Sequence, residues 1–225
     1  AAETAHFAPL LWAPASVVSR EDARVASEQE GRVTRVAEVG ATVRRGDVLA
    51  QLDDSLLRLQ ERQDQADLER FQAQLEYARS QEARLTQLVE KHSIAGSQLD
   101  EARSQRRVLE QELQRARVAL DRTRHRLRNS TVRAPFDGTV AERFIQAGEY
   151  LGTGAAVVRL VNTAALEVKA QAPVHLAARL RPGMEVGVRE GDDELRQEVR
   201  AVVPVGDESS RQLEVRIALD SHRWP

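Results

Sequence analysis

The chain has no cysteine and one methionine in 225 residues. It therefore has no disulfide framework, no thiolate metal site and no cysteine nucleophile. Aromatic residues make up 4% of the chain, although hydrophobic residues reach 41%. That argues against one large aromatic-rich core and for small modules in an elongated molecule. Lysine is nearly missing: only Lys91 and Lys169 occur, and the other basic residues are arginine. No apolar run approaches the ~20 residues needed to span a bilayer. The net charge is −2 with 30% charged residues, so there is no electrostatic case for a nucleic-acid partner. Enzyme signatures are missing too. There is no Gly-x-Ser-x-Gly and no P-loop, and His6, His92, His125, His175 and His222 lie scattered, with no pair at ligand spacing. The expectation is a protein with no catalytic residue, no cofactor and no bound metal.

What is present begins with an internal repeat. Residues 31–52 match 138–160 with one residue inserted: Gly31, Gly40 and Gly46 fall on Gly138, Gly148 and Gly154. Val33 matches Val140, Val43 matches Leu151, and Leu52 matches Leu160. Each unit is a set of short β-branched runs broken by glycine turns. Neither half can bury its apolar face alone, so the two are expected to pack together as a small β-sandwich.

Between the halves there is no glycine or proline from Asp54 to Ile94, nor from Ser97 to Ala134. Leu99, Ala102, Arg106, Leu109, Leu113, Ala116, Leu120, Thr123 and Leu127 alternate steps of three and four, as in a coiled-coil seam. Leu57, Glu61, Asp64, Leu68, Phe71, Leu75, Ala78, Glu82, Leu85 and Val89 keep the same spacing. Ser97, with Asp100 three residues on, reads as a helix start. The two limbs are expected to fold back near Ile94 as an antiparallel hairpin, each helix about 50 Å long. That register sets Glu82 opposite Arg106, Leu75 opposite Leu113 and Leu68 opposite Leu120.

The last part alternates apolar and polar residues in short runs: Leu166–Ala170, Val186–Val188, Val199–Val203 and Leu213–Leu219. A short helical run is expected from Val174 to Leu180. With a piece of the N-terminus, these strands make a small antiparallel barrel.

This order resembles the periplasmic adaptor (membrane fusion, HlyD-like) proteins of tripartite efflux pumps. The resemblance rests on Glu30-Gly31-Arg32-Val33, on Val39-Gly40 with Gly46-Asp47-Val48-Leu49-Ala50, and on Val132-Arg133-Ala134-Pro135-Phe136-Asp137-Gly138-Thr139-Val140 with Gly148-Glu149. Arg181-Pro182-Gly183-Met184 and Asp207-Glu208-Ser209-Ser210-Arg211 look like that family's barrel. It implies an α+β, elongated, multi-domain fold: a biotinyl/lipoyl-like sandwich split by a coiled-coil hairpin, plus a small antiparallel barrel. The expected division is 1–28 for N-terminal barrel strands, 29–53 and 131–162 for the two lipoyl-like halves, 54–130 for the hairpin, and 163–225 for a barrel expected to be incomplete, with Leu213–Leu219 as an exposed edge. Biotinyl and lipoyl carriers place a modified lysine on the turn joining the halves. No lysine lies near Asp53 or Thr131 here, so the hairpin stands where the prosthetic arm would be.

The resemblance further implies an adaptor in the periplasm, associated with the inner membrane. Its partners would be an inner-membrane transporter of the RND (resistance-nodulation-division) type, an outer-membrane exit duct, and further copies of itself in a trimeric or hexameric ring. Drugs or other small toxic compounds would be the cargo. Duct contacts fall on the tip, at Arg84, Leu88, Ile94 and Ala95. Ala95 departs from the serine that such adaptors often carry, which bears on the choice of duct. Alternatives left open are a metal-ion efflux adaptor, an ABC-type or type I export adaptor, and a coiled-coil scaffold with no role in transport.

Overall fold

The computed structural model describes residues 11–91, 96–176, 179–190, 193–203 and 212–219. Among these residues, thirteen strands and two long helices follow in chain order. They are β1 (Ala15–Ser19), β2 (Asp22–Ala26), β3 (Gly31–Val36), β4 (Thr42–Val43), β5 (Val48–Leu52), α1 (Ser55–Glu90), α2 (Gly96–Asn129), β6 (Thr131–Arg133), β7 (Gly138–Arg143), β8 (Tyr150–Leu151), β9 (Ala156–Val161), β10 (Leu166–Pro173), β11 (Glu185–Glu190), β12 (Asp193–Val203) and β13 (Gln212–Ala218).

The sandwich has two four-stranded sheets, β2-β9-β7-β4 and β6-β5-β3-β8. Their inner faces bury Val33, Leu49, Leu52, Val140, Val158 and Leu160 essentially completely. The halves clasp by matched hydrogen bonds. The Val33 amide donates to the Glu149 carbonyl at 2.9 Å, and the Gly148 amide returns a bond to Val33 at 2.7 Å. The equivalent pair joins Val140 to Ala41 at 3.0 Å and Gly40 back to Val140 at 2.8 Å. A second set ties Gly46 and Asp47 to Ala134, and Gly154 and Ala155 to Ser27. Gly40, Gly46, Gly148 and Gly154 all have positive φ.

The match between Ser27 and Ala134 extends the repeat upstream. β2 is the counterpart of β6, and it pairs with β9 in the sandwich. The stretch 1–28, expected to supply barrel strands, is therefore divided: β1 pairs with β10 in the barrel, and β2 does not join it. The sandwich needs β2 to cover its second half, as β6 covers the first.

The barrel sheet has the order β1-β10-β13-β12-β11, antiparallel throughout. The expected exposed edge at Leu213–Leu219 is corrected here. β13 is central, bonded to β10 on one side and β12 on the other, and Leu213, Val215 and Ile217 are buried. The edge strands are β1 and β11. Arg189 on β11 stacks over the Trp12 ring at 4.1 Å, so the chain just before β1 reaches the opposite edge. The helical run expected from Val174 is a 3₁₀ turn, Val174–Leu176, with Leu180 bonded back to Leu176 at 3.0 Å.

Candidate functional site: the hairpin and its mount

α1 and α2 lie antiparallel, and every seam position named from the sequence is buried or half-buried. Leu75, Ala78, Leu99, Leu113, Ala116 and Leu120 are its buried apolar positions. Knob-into-hole packing along such a seam, more than helix propensity, holds long helices in water.

Polar residues that interrupt the seam meet partners. Arg106 Nε donates to Glu82 Oε2 at 2.5 Å. Arg106 also reaches Glu110 at 2.7 Å, and Arg79 meets Glu110 at 3.1 Å. Hydrogen bonds from Arg79 and then Arg106 hold the Glu110 carboxyl below its ordinary range. Lower down, the buried Asp64 carboxylate accepts the Thr123 hydroxyl at 2.6 Å and the Gln60 amide at 2.8 Å. The Asp64–Thr123 bond was not singled out from the sequence. Its signal was there: two polar residues at seam positions that the register places opposite each other.

The hairpin's feet are locked to the sandwich. The Leu52 amide donates to the Ser130 carbonyl at 2.8 Å, and the Asp53 amide to Arg32 at 2.8 Å. The Thr131 hydroxyl donates to Gln51 Oε1 at 2.7 Å. Ser130 is 1% exposed and caps the end of α2 by donating to the Leu127 carbonyl. The Ser55 amide donates to Asp53 Oδ1 at 3.0 Å, and the Ser55 side chain first, then this amide, holds the Asp53 carboxyl below its ordinary value. Adjacent strands β5 and β6 thus feed adjacent helices.

Of the residues assigned to the tip, Arg84 is exposed and Leu88 half-buried, both in the last two turns of α1. Ile94 and Ala95 lie outside the described residues. α2 begins at Gly96, one residue before the Ser97 expected to cap it. Among the described residues, no group of three histidine, cysteine, aspartate or glutamate side chains could hold a metal ion. No helix among them is long and apolar enough to cross a membrane.

Comparison with known proteins matches residues 21–162 to the CzcB-like barrel-sandwich hybrid domain. That range takes in β2 and leaves out β1. Multidrug resistance protein MdtA from Photorhabdus laumondii is 26% identical over 156 residues, covering 68% of this chain and 39% of MdtA. Among solved structures, MacA from Actinobacillus actinomycetemcomitans aligns with a TM-score of 0.77 at 18% identity, over 95% of this chain and 73% of MacA. The membrane fusion protein Spr0693 from Streptococcus pneumoniae R6 aligns with a TM-score of 0.74 at 16% identity, over 91% of this chain and 89% of Spr0693. At such identities the structural likeness shows the fold. The chain spans 39% of the length of the first curated relatives it matches.

Proposed function

The chain belongs to the CzcB-like barrel-sandwich hybrid family of membrane fusion proteins, and from that premise we propose that it is a periplasmic adaptor of an efflux system. It links an inner-membrane transporter, of the RND type, to an outer-membrane exit duct. Its cargo is drugs or other small toxic compounds, in keeping with the multidrug resistance proteins it resembles. The mechanism is mechanical: a rod of fixed length, a mount that fixes its direction, and a contact surface at each end.

The observation that carries this reading is the locked pair of feet. Buried Ser130 and the Gln51–Thr131 bond sit where α1 and α2 leave the sandwich. A hairpin ~50 Å long transmits position only if its base cannot swing. The contacts to the duct are assigned to Arg84, Leu88, Ile94 and Ala95 at the tip. The test is export in cells that lack the native protein, complemented with variants. Arg84→Asp with Leu88→Asp is expected to abolish drug resistance at unchanged protein abundance. Equal resistance from the variant and the wild type would remove the tip from the mechanism.

A further inference from the structure

A crevice of about 920 Å³ opens where the hairpin meets its mount. That is room for a drug-sized molecule. Its walls come from the first turns of α1, the last turns of α2, and the strands β2 and β6. β2 and β6 are the end strands of the two sandwich sheets, so the crevice borders an edge of each. Its apolar surface is supplied by Val25, Leu127, Val132 and Pro135. Val132 is buried, Val25 and Leu127 are half-buried, and Pro135 is exposed.

The charges around that apolar surface do not cancel. Two of the arginines that line it are neutralised in place: Arg58 meets Asp54 at 2.8 Å, and Arg124 meets Glu61 at 3.0 Å. Two more are not. Among the described residues the Arg128 side chain has neither an ion pair nor a hydrogen bond. Arg133 makes one side-chain bond, to the Gly46 carbonyl at 2.9 Å, and has no carboxylate partner there. Both arginines are exposed. Against them stands one lining carboxylate without a cation: Glu28, which accepts the Asn129 amide at 2.6 Å. The crevice is therefore basic, with two guanidinium forks open to a ligand.

We propose that this crevice binds an organic anion, with its carboxylate or sulfonate at Arg128 and Arg133 and its apolar body over Val25, Leu127, Val132 and Pro135. The planar guanidinium fork matches a head with two or more oxygens. Inorganic phosphate has the charge but leaves the apolar surface uncovered, and so gains nothing from it. An organic cation has the apolar body but faces two free arginines, with one carboxylate to offset them. The site goes beyond the adaptor reading and does not depend on it, since every group it uses lies in this chain.

The experiment is isothermal titration calorimetry on the full chain, with probes that share one ring system and differ in charge. They are 2-naphthoate, naphthalene-2-sulfonate and 2-naphthylmethylammonium, with inorganic phosphate as the anion that lacks a body. The two naphthalene anions are expected to bind once per chain. The ammonium and phosphate are expected to bind about tenfold more weakly or worse. Arg128→Glu removes no side-chain hydrogen bond among the described residues, so it is expected to leave the melting temperature unchanged. It is expected to weaken both anions by about tenfold or more. Arg133→Gln is expected to weaken them as well. Should that variant melt lower, through loss of its bond to Gly46, Arg128→Glu decides alone. No binding of either anion, ammonium or phosphate binding as tightly as naphthoate, or wild-type affinity in Arg128→Glu overturns the proposal.

Discussion

A Cβ on Gly138 would stand 2.6 Å from the Val161 carbonyl oxygen, a backbone atom that cannot step aside. Gly46 is different: its φ is +91°, and nothing lies within 4 Å of a Cβ there. Gly138→Ala is expected to cost about 2 kcal/mol by overpacking, and Gly46→Ala about 1 kcal/mol by backbone strain. Urea midpoints measure both, and equal effects would contradict the clasp geometry. The glycine spacing was legible in the sequence, but the reason for Gly138 was not, since close approach depends on which strand lies across it. Side-chain charge adds a pH dependence. A hydrogen bond from Lys169, at 2.6 Å, is the main cause holding Glu214 below its ordinary value. Asp22 is lowered by Arg159 in the same way. A depressed carboxylate stabilises the fold above its unfolded pKa of about 4, and that contribution goes as pH falls through the folded value. Melting temperature should therefore be flat above about pH 5 and fall below about pH 4. Glu214→Gln should melt lower at pH 7 and decline less on acidification. A parallel decline for variant and wild type would remove Glu214 from the effect.

At the scale of elements, the hairpin was the most legible part. A seam in steps of three and four is a local signal, and charge matching across it fixes register once the turn is known. Glu82 and Arg106 show how that register is built, and the structure adds what spacing could not: Arg106 is shared with Glu110, and Arg103 also approaches Glu82 at 3.6 Å. Arg106→Glu should lower the hairpin's melting temperature, because it faces two carboxylates. Adding Glu82→Arg should restore part of the loss, limited by Glu110 and Arg103. A double variant that melts no higher than the single one would contradict the register. The strands were less legible. Alternation marks a strand but does not name its neighbours. β2 reads like any short strand, and its counterpart β6 is only three residues long. The clue was the small residue four places before each glycine, Ser27 before Gly31 and Ala134 before Gly138. β13 looked like an edge because it is last in sequence, yet pairing is non-local and seats it in the middle.

For the whole molecule, the repeat explains where the other parts attach. The hairpin leaves between β5 and β6. The barrel leaves between β9 and β2, the equivalent place in the other half. There the Ser19 hydroxyl donates to the Asn162 carbonyl at 2.7 Å, and the Asn162 amide donates to Glu21 at 2.9 Å. One small sandwich thus serves as a joint with two anchored exits. The far end of β10, marked by Pro173 and the exposed Val174, lies away from the joint. We propose that these two exits carry contacts to two different membranes. The direct measurement is site-specific photo-crosslinking in intact cells, with the probe at Leu88 or at Val174, followed by identification of the partner. The account predicts an outer-membrane duct at Leu88 and an inner-membrane transporter at Val174. The same partner captured at both positions, or the two partners exchanged, would contradict it.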